Sequence, residues 1–498
     1  MAGAGTDDGV ILAIDQGTTS SRAMAIGLGG AVRASSQEEF PQIFPQAGWV
    51  EHDPEAIWRT TRRTAEQTMQ RLDGQPVLAI GVTNQRETVV VWDRKTGEAI
   101  YNAIVWQDRR TSARTAELEA QGKGALVEER TGLVLDPYFS AAKIAWILDH
   151  VPGARARAEK GELAAGTIDC FLIWRLTGGR VHATDATNAS RTSLYDIVQG
   201  RWDEELCDLF RVPPKLLPDV RDSAGDFGVT DLLGPPLPIR GVGGDQQAAL
   251  VGQACFAAGE VKSTYGTGAF LVLNTGDTRV RSTSRLLSTI AYRVAGKTTY
   301  ALEGSILSAG STIQWLRDEL KIIRDGAHAG ELAQSVPDSA GVYLIPAFAG
   351  LGAPYWDADA RGALLGLTRG TTISHIARAA LESAAFQTAE LLDAMAVDGV
   401  IPHRIRVDGG MARNDWFLQT LADTLGVGVD RPVNTETTAL GAAVLAAVGA
   451  GAFSDLGEAA SVWKLDRSFE PLVDEAWRHE RREGWRTAIS RVLTGELK

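Results

Sequence analysis

The carboxylate Asp245 lies between the glycine-rich run at positions 241–244 and the two amides Gln246 and Gln247. Glycine-rich backbone makes a thin loop, against which a small substrate can lie. A carboxylate in such a loop can accept the proton of an attacking hydroxyl, as a catalytic aspartate does in other phosphoryl transfers. The alternative is a glycine-rich turn in which Asp245 caps a helix that begins at Gln246. The two interpretations are compatible, because a cap fixes the direction of the carboxylate.

A second candidate is the polar segment DQGTTSSR at residues 15–22, which directly follows the apolar run from Val10 to Ile14. Gly17 allows close approach of a ligand, and the hydroxyl and amide groups after it can donate to phosphate oxygens. The hydroxyl residues are Thr18, Thr19 and Ser20. Arg22 can pair with a phosphate, and Asp15 can hold a water of Mg²⁺. The alternative is a hairpin turn in which Asp15 only accepts bonds from backbone amides.

Two further groups follow apolar runs that are expected to be strands. Arg86 and Glu87 follow the run from Leu78 to Val82, and together they can donate to and accept from one hydroxyl. The alternative is an ion pair on the surface. Trp106 ends another short apolar run and can form an apolar wall beside a small ligand. The alternative is a core position, which is more common for an isolated tryptophan.

The last group is Val407 to Asn414, in which a strand ends at two glycines before a helix. Backbone there can lie flat against an adenine or ribose. The segment from Glu436 to Gly441 opens a helix of small residues that can pack close behind it. The alternative for both segments is tight packing between a strand and a helix. Gly296 and Lys297 suggest a P-loop, but the first glycine of that motif is missing, so a hairpin turn is favoured.

The elements that position these residues alternate between strand and helix, which predicts an α/β fold. Two strand, Gly-Thr turn, strand units, at residues 10–26 and 261–273, lie half a chain apart and suggest a duplicated domain. Prolines cluster between positions 213 and 238, so we predict two domains, residues 1–254 and 255–498. The clearest helix runs from Ser374, its expected cap, to Met395.

Composition and charge limit the partners and the compartment that we expect for the chain. The chain has 498 residues and a net charge of −12, which argues against nucleic acid or an anionic membrane as the main partner. The three cysteines, Cys170, Cys207 and Cys255, are far apart and indicate a reducing compartment. The first ten residues lack the features of a signal peptide, and no apolar run is long enough to span a bilayer. We therefore expect a cytoplasmic protein.

The identity and order of these motifs resemble the glycerol kinases of the FGGY carbohydrate kinase family, within the actin, Hsp70 and hexokinase superfamily. The resemblance runs from about Val10 to Trp463. Residues 138–150 are similar to the first family signature, and residues 362–367 with 375–382 to the second. DQGTTSSR at 15–22, NQRET at 84–88 and NAIVWQDRRT at 102–111 are typical of the glycerol kinases rather than of pentulose kinases.

The resemblance implies two ribonuclease H-like domains that close on a catalytic cleft, and phosphorylation of glycerol by ATP in glycerol uptake and catabolism. The N-terminal domain would bind glycerol and carry Asp245 as catalytic base, and the C-terminal domain would bind ATP. The implied glycerol site comprises Arg86, Glu87, Tyr138, Asp245 and Gln246, with Trp106 and Phe270 as apolar walls. The implied phosphate ligands are Thr18, Thr19, Ser20, Arg22, Thr267 and Gly310. The nucleoside would lie near Gln314, Gly410 and Asn414, and Mg²⁺ near Asp15 and Asp245.

The chain departs from its relatives in regulatory segments. Enterobacterial relatives bind fructose 1,6-bisphosphate through a glycine-rich loop with a lysine and an arginine, and residues 229–238 here contain no cation. Some Gram-positive relatives carry a phosphorylatable histidine in this stretch, whereas no histidine lies between His182 and His328. We predict that both controls are absent. Residues 468–498 also lack the partner-docking sequence of the enterobacterial enzyme. Homodimers or homotetramers are usual for the family.

Overall fold

The structure, a computed structural model, describes residues 9–494. The expectations for the first ten and the last thirty-one residues fall partly on residues 1–8 and 495–498, which lie outside the described residues.

Strands and helices alternate along the chain. The strands are β1 (Val10–Gln16), β2 (Ser20–Gly27), β3 (Val32–Glu39), β4 (Glu51–His52), β5 (Val77–Asn84), β6 (Val89–Asp93), β7 (Ala103–Ile104), β8 (Leu163–Thr167), β9 (Ala183–Asp185), β10 (Tyr195–Asp196), β11 (Arg201–Trp202), β12 (Asp219–Arg221), β13 (Val229–Thr230), β14 (Leu237–Gly244), β15 (Val261–Tyr265), β16 (Ala269–Gly276), β17 (Leu287–Val294), β18 (Lys297–Ile306), β19 (Tyr343–Ile345), β20 (Ala363–Leu365), β21 (Arg404–Asp408), β22 (Gly428–Pro432) and β23 (Leu465–Phe469). The helices are α1 (Pro54–Gln70), α2 (Ser112–Ala120), α3 (Gly124–Thr131), α4 (Ser140–His150), α5 (Ala154–Lys160), α6 (Ile168–Leu176), α7 (Ala186–Ala189), α8 (Glu204–Phe210), α9 (Asp245–Gly252), α10 (Gly310–Asp318), α11 (Gly326–Gln334), α12 (Ile373–Val397), α13 (Asp415–Leu425), α14 (Thr437–Gly449), α15 (Leu456–Ala459) and α16 (Glu475–Ile489).

Two large sheets repeat one topology. The first has the order β13-β14-β5-β1-β2-β3, and the second has the order β17-β18-β16-β15-β21-β22-β23. In each sheet a leading hairpin, β1-β2 or β15-β16, is extended by a further antiparallel strand. On its other side each hairpin is followed by two parallel strands, β5 and β14 or β21 and β22. The predicted duplication and the α/β fold of two ribonuclease H-like domains are confirmed.

The turns of the two leading hairpins fall where the sequence predicted them. In the first hairpin Val10 pairs with Gly27 and Gln16 with Ser21, so the turn comprises residues 17–19. In the second hairpin Val261 pairs with Leu273 and Tyr265 with Ala269, so the turn comprises residues 266–268. The chain passes from the first sheet to the second between the end of α9 and the start of β15.

Helix α14 packs between the two halves. Its body lies on β1, β5 and β14 of the first sheet and crosses α9 closely. A Cβ atom on Gly441 of α14 would overlap the carbonyl oxygen of Ala248, so glycine is required at this crossing. The helix belongs to a core that also includes Val272 and Ala291 of the second sheet. The predicted position behind residues 407–414 holds only for the start of the helix, where Thr437 lies close to the Asp408 carboxylate.

The structure corrects two local predictions. The glycine-rich run at 241–244 is the end of β14 and not a loop. Its glycines serve packing, because a Cβ atom on Gly241 would overlap the backbone of Ala446 in α14. The predicted cap at Ser374 is also wrong: α12 begins at Ile373, and Thr372 and His375 form its capping box. The predicted hairpin turn at Gly296 is confirmed between β17 and β18. Among residues 9–494, no helix combines the length and apolar character needed to cross a membrane.

Candidate active site

Two cavities meet at the hairpin turn of the second sheet. One, of about 550 Å³, is lined by residues from both halves of the chain and is called here the interdomain cavity. The other, of about 910 Å³, is lined only by residues between 265 and 416 and is called the C-terminal cavity. Gly266, Thr267 and Gln314 line both, so the two cavities are contiguous.

Parallel strands bring the charged residues of the interdomain cavity together. The strands β1, β5 and β14 are parallel neighbours, so their carboxyl ends meet at one edge of the first sheet. Asp15 lies near the end of β1, Arg86 and Glu87 follow β5, and Asp245 follows β14. Motifs separated by about 230 residues therefore converge on one place. Asp245 and the Arg86-Glu87 pair line the cavity, whereas Asp15 does not.

Asp245 is the first residue of α9, and its side chain is 32% exposed. One carboxylate oxygen, Oδ1, accepts a hydrogen bond from the backbone N–H of Gln246 at 2.8 Å and lies 3.2 Å from Nε of Arg86. Gly244 is the cap residue, so the predicted capping of a helix at Gln246 by Asp245 is wrong by one position. Burial raises the pKa of Asp245, and the Arg86 and Lys262 cations oppose that shift. The carboxylate is thus fixed in direction and faces the cavity.

Arg86 and Glu87 are not a surface ion pair, because each side chain is only 1% exposed. Arg86 donates to Glu303 through Nη1 at 2.5 Å and Nη2 at 2.9 Å. Glu87 accepts from Nε of Arg191 at 2.7 Å. The backbone of Glu87 has a φ of 60°, a left-handed conformation that costs energy in a residue other than glycine. Both side chains still border the cavity, in fixed positions.

Three aromatic rings form a wall of the same cavity. Trp106 makes edge-to-face contacts with Tyr138, at 5.6 Å between ring centroids, and with Phe270, at 6.5 Å. The indole N–H of Trp106 donates to Oγ1 of Thr18 at 3.0 Å, which ties the wall to the turn of the first hairpin. Burial raises the pKa of the Tyr138 hydroxyl well above its usual value, so this group stays neutral. The predicted apolar walls and Tyr138 therefore lie together, beside Gln246.

The second hairpin turn and the start of α10 are in direct contact. The backbone N–H of Gly310 donates to the carbonyl of Gly266 at 3.0 Å, and that of Ser311 donates to the carbonyl of Thr267 at 3.0 Å. A Cβ atom on Gly310 would overlap the oxygen of Gly266, so only glycine fits. Thr267 faces both cavities, and Thr18 and Thr19 face the interdomain cavity from the other sheet. Hydroxyl and amide groups of both hairpins thus lie on two sides of one space.

The C-terminal cavity contains the three residues predicted near a nucleoside, Gln314, Gly410 and Asn414. Oδ1 of Asn414 accepts from the backbone N–H of Phe417 at 3.2 Å and caps α13. Trp416 also lines the cavity, and the guanidinium of Arg378 lies over its ring at 5.1 Å. The lining is mainly helix termini and small residues, which leaves a broad space for a planar group.

Three predicted ligands lie outside both cavities. Oγ of Ser20 accepts from Nε2 of Gln37 at 2.9 Å. Arg22 pairs with Glu436 and donates to Gln37 at 2.9 Å. Asp15 is half-buried at the end of β1, and burial raises its pKa to about 7, with Arg22 opposing the shift and Asp245 and Glu436 adding to it. Arg22 is therefore already paired with a carboxylate rather than free for a phosphate.

Sequence reasoning missed four polar residues beside the predicted ones. Glu303 and Arg191 bind Arg86 and Glu87, and Gln247 accepts from Arg86 at 3.2 Å. Lys262 donates to Oε1 of Gln246 and to Oγ1 of Thr264. A signal existed for Glu303 and Lys262, since each is a charged residue within a mainly apolar, buried stretch of a strand. Arg191 had no such signal, and Gln247 was part of the motif at Asp245 but had no predicted role of its own.

The duplicated α/β domains with a charged cavity between them define a two-domain protein of the actin and hexokinase type. The model for the N-terminal domain of the FGGY family of carbohydrate kinases matches residues 10–252, and the model for the C-terminal domain matches residues 261–450. The chain belongs to the FGGY family of carbohydrate kinases.

Relatives with assigned names include a glycerol kinase of Rhodospirillum centenum, 58% identical over 97% of this chain and 98% of the relative. Glycerol kinase 1 of Pseudomonas aeruginosa is 57% identical over 97% of this chain and 98% of the relative. Among solved structures, Plasmodium falciparum glycerol kinase with ADP matches with a TM-score of 0.91 and 38% identity, over 98% of this chain and 99% of that one. A ligand-bound xylulose kinase from Lactobacillus acidophilus matches with a TM-score of 0.88 at 23% identity, over 98% of this chain and 99% of that one, which shows a common fold.

Proposed function

We propose that the chain is an ATP-dependent glycerol kinase, which transfers the γ-phosphoryl group of ATP to a terminal hydroxyl of glycerol and releases sn-glycerol 3-phosphate and ADP. The observation that carries this proposal is the junction of the two cavities at Gly266, Thr267 and Gln314. A nucleotide in one cavity would present its terminal phosphate to the other, where Asp245 lies. Relatives named glycerol kinase, 57–58% identical over nearly the whole chain, support glycerol as the acceptor.

Glycerol in this proposal occupies the interdomain cavity. The carboxylate of Glu87 accepts hydrogen bonds from hydroxyl groups, and Arg86, Gln246 and the neutral Tyr138 hydroxyl donate to them. Trp106 and Phe270 contact the carbon chain. Buried polar groups make this binding selective, because an acceptor without matching hydroxyls leaves their remaining hydrogen-bonding atoms unsatisfied. The cavity would therefore favour a small polyol over an apolar alcohol or water.

Asp245 acts as the general base in this proposal. As the terminal hydroxyl oxygen forms its bond to the γ-phosphorus, its proton passes to the Asp245 carboxylate, and the bond from phosphorus to the ADP oxygen breaks. The hydrogen bond from the Gln246 backbone fixes the direction of the carboxylate, which supports this role. The aromatic wall excludes water from the reacting group and so limits hydrolysis of ATP.

In this proposal the nucleotide lies with its phosphates between the turns of the two leading hairpins, residues 17–19 and 266–268, and with its nucleoside in the C-terminal cavity. We assign its phosphates to Thr18, Thr19, Ser20, Arg22, Thr267 and Gly310, and its nucleoside to Gln314, Gly410 and Asn414. The position of Thr267 at the junction of the cavities supports the phosphate assignment. For Ser20 and Arg22 to take part, Arg22 would have to exchange its ion pair with Glu436 for one with a phosphate. We also assign residues 1–254 to the glycerol-binding domain and residues 255–498 to the ATP-binding domain.

Mg²⁺ fits the donors at this edge of the sheet. The Asp245 carboxylate is close enough to Asp15 for its charge to help raise the pKa of Asp15, and a cation would relieve that repulsion. Protein sites for Mg²⁺ with nucleotides often supply only one or two carboxylates, while phosphates and waters complete the shell. No group of three or more His, Cys, Asp or Glu side chains that could hold a metal ion occurs among residues 9–494. When bound, Mg²⁺ would neutralise charge on the phosphates.

Release of ADP that depends on an added acceptor tests the proposed function. The purified chain is mixed with ATP and Mg²⁺ and then with glycerol, xylulose, gluconate or no acceptor, and ADP is measured. We expect ADP release with glycerol and little with the other three. Equal release without an acceptor would indicate a plain ATPase, and faster release with xylulose or gluconate would assign a different acceptor.

Assembly and regulation complete the proposal. We propose a homodimer or homotetramer, which light scattering of the purified chain tests directly. Neither fructose 1,6-bisphosphate nor a phosphohistidine would control the enzyme, because residues 229–238 contain no cation and no histidine. Neither nucleic acid nor a membrane is a partner in this proposal.

A further inference from the structure

Four buried ionic side chains meet beside the interdomain cavity: Arg86, Glu87, Arg191 and Glu303, called here the buried tetrad. Each side chain is at most 1% exposed. Glu303 accepts two bonds from Arg86, at 2.5 and 2.9 Å, and one from Arg191 at 3.0 Å. Arg191 also donates to Glu87 at 2.7 Å. Two cations and two anions therefore pair at a site with almost no solvent exposure, where an unpaired charge is costly.

Glu303 differs from the other three members in its origin. It lies on β18 of the second sheet, whereas Arg86, Glu87 and Arg191 belong to the first half of the chain. It does not line the interdomain cavity, so it has no direct contact with an acceptor there. Burial alone would raise the pKa of Glu303. The nearby Arg191 and Arg86 guanidiniums outweigh that effect and lower the pKa to about 2. Glu303 is thus a permanently charged link between the two halves.

The bonds to Glu303 determine which donors of Arg86 remain available. A bidentate bond to a carboxylate fixes the plane of a guanidinium. With Nη1 and Nη2 held by Glu303, the Nε group of Arg86 lies on the opposite side of the guanidinium, 3.2 Å from Oδ1 of Asp245. The bond from Glu303 to Arg191 in turn holds the guanidinium that fixes Glu87. One carboxylate therefore supports two of the residues to which we assign the glycerol hydroxyls, Arg86 and Glu87.

We propose that Glu303 is a positioning residue for the acceptor site, which lets the second sheet set the geometry with which the first half of the chain binds glycerol. This inference rests on the proposed glycerol kinase activity. It implies that loss of the Glu303 charge weakens glycerol binding through Arg86 and Glu87, while the nucleotide site is left intact.

The chain offers a matched control in Glu382. This residue of α12 is also a buried carboxylate held by two arginines, Arg378 at 2.9 Å and Arg481 at 2.5 Å. It lines neither cavity. The substitution Glu382→Gln removes the same charge from the same kind of cluster, so it reports the general cost of breaking such a cluster.

The experiment compares Glu303→Gln, Glu303→Asp and Glu382→Gln with the unchanged chain, by KM for glycerol, KM for ATP, kcat and melting temperature. For Glu303→Gln we expect the KM for glycerol to rise at least about tenfold, because a charged hydrogen-bond partner of Arg86 is lost. The KM for ATP stays within about threefold, since the nucleotide ligands are untouched. Glu303→Asp keeps the charge and restores part of the glycerol affinity. Glu382→Gln lowers the melting temperature without changing either KM.

Several results would overturn the inference. An unchanged KM for glycerol in Glu303→Gln, or equal rises in the KM for glycerol and for ATP, would assign Glu303 a purely structural role. If Glu303→Gln does not fold, Glu303→Asp decides, and a glycerol KM equal to that of the unchanged chain would refute the proposal. In an Arg86→Lys background, the effect of Glu303→Gln should shrink, and full additivity would contradict action through Arg86. If the unchanged chain does not phosphorylate glycerol, the proposed function itself fails.

Discussion

The interdomain and C-terminal cavities adjoin each other but differ in where their charges lie. In the interdomain cavity the Arg86 and Glu87 side chains are 1% exposed and bonded to further buried ions. In the C-terminal cavity the charged lining residues are solvated: Arg413 is 73% exposed and Glu331 is 67% exposed. Exposed charges are screened by water and contribute little, whereas buried ones are strong and costly to leave unpaired.

The difference indicates two ways of recognising a ligand. The C-terminal cavity offers shape and backbone, through Gly310, Gly410 and the capped start of α13, and so suits a large group of fixed outline. The interdomain cavity offers charged side chains in fixed positions, which suits a small molecule with few atoms available for contact. Substitutions of charged residues should therefore disturb acceptor chemistry, and changes of shape should disturb nucleotide binding.

The largest expected effect comes from Asp245→Asn. The substitution keeps the shape and removes the base, so kcat should fall by about 10²–10⁴-fold, the usual contribution of a general base. Binding of ADP, measured by calorimetry, should change by less than about threefold, because Asp245 does not line the C-terminal cavity. Retention of most of the activity would show that Asp245 is not the base.

The substitution Glu87→Gln should act on the acceptor alone. It replaces a charged acceptor of hydroxyl protons by a neutral amide, so the KM for glycerol should rise about 10–100-fold. The KM for ATP should stay constant, and steady-state kinetics with each substrate varied in turn measures both. Glu382→Gln is again the control for the loss of a buried charge. Equal changes in the two KM values would remove the distinction between the cavities.

The third prediction tests shape in the C-terminal cavity with two glycines of α11, both of which line it. A Cβ atom on Gly330 would lie 2.7 Å from Nδ2 of Asn414, whereas one on Gly326 would meet nothing within 4 Å. Gly330→Ala should displace Asn414 and raise the KM for ATP by about 3–10-fold, the cost of a moderate steric conflict. Gly326→Ala should leave it unchanged, and neither should affect the KM for glycerol. Equal kinetics of the two variants would place the nucleoside elsewhere.

The smallest expected effect is that of fructose 1,6-bisphosphate, which should not change the rate. A bisphosphate needs cations, and residues 229–238 contain none. Arg180, which donates to the carbonyl of Val229 at 3.0 Å, is already paired with Asp231. Initial rates with and without the sugar bisphosphate measure the effect. Inhibition at submillimolar concentrations would reveal a control site that the sequence does not show.

The sequence predicted the fold and most of the positions around the two cavities, because the informative residues follow strands. The carboxyl ends of β1, β5 and β14 meet, so Arg86, Glu87 and Asp245 converge as expected for parallel neighbours. The two strand, Gly-Thr turn, strand units, half a chain apart, indicated the duplicated domain. Local patterns of this kind depend on a few adjacent residues and can be read directly.

Long-range packing could not be predicted in the same way. The glycines before Asp245 suggested a substrate loop, but Gly241 is required by contact with α14, about 200 residues later. Arg191 and Glu303 are distant in sequence from Arg86, and nothing near them marks their partners. Arg22 suggested a phosphate ligand, whereas Glu436 is its partner in the structure. Each of these depends on which surfaces the fold brings together.

The central claim is transfer of a phosphoryl group across the junction of the two cavities. Phosphorus NMR of the chain with ATP, Mg²⁺ and glycerol tests it most directly, since it resolves ADP, inorganic phosphate and a phosphate monoester in one spectrum. The account predicts glycerol 3-phosphate and ADP in equal amounts, with no inorganic phosphate beyond the blank, and loss of both products in Asp245→Asn. Inorganic phosphate in place of the monoester, or no ADP at all, would contradict the account.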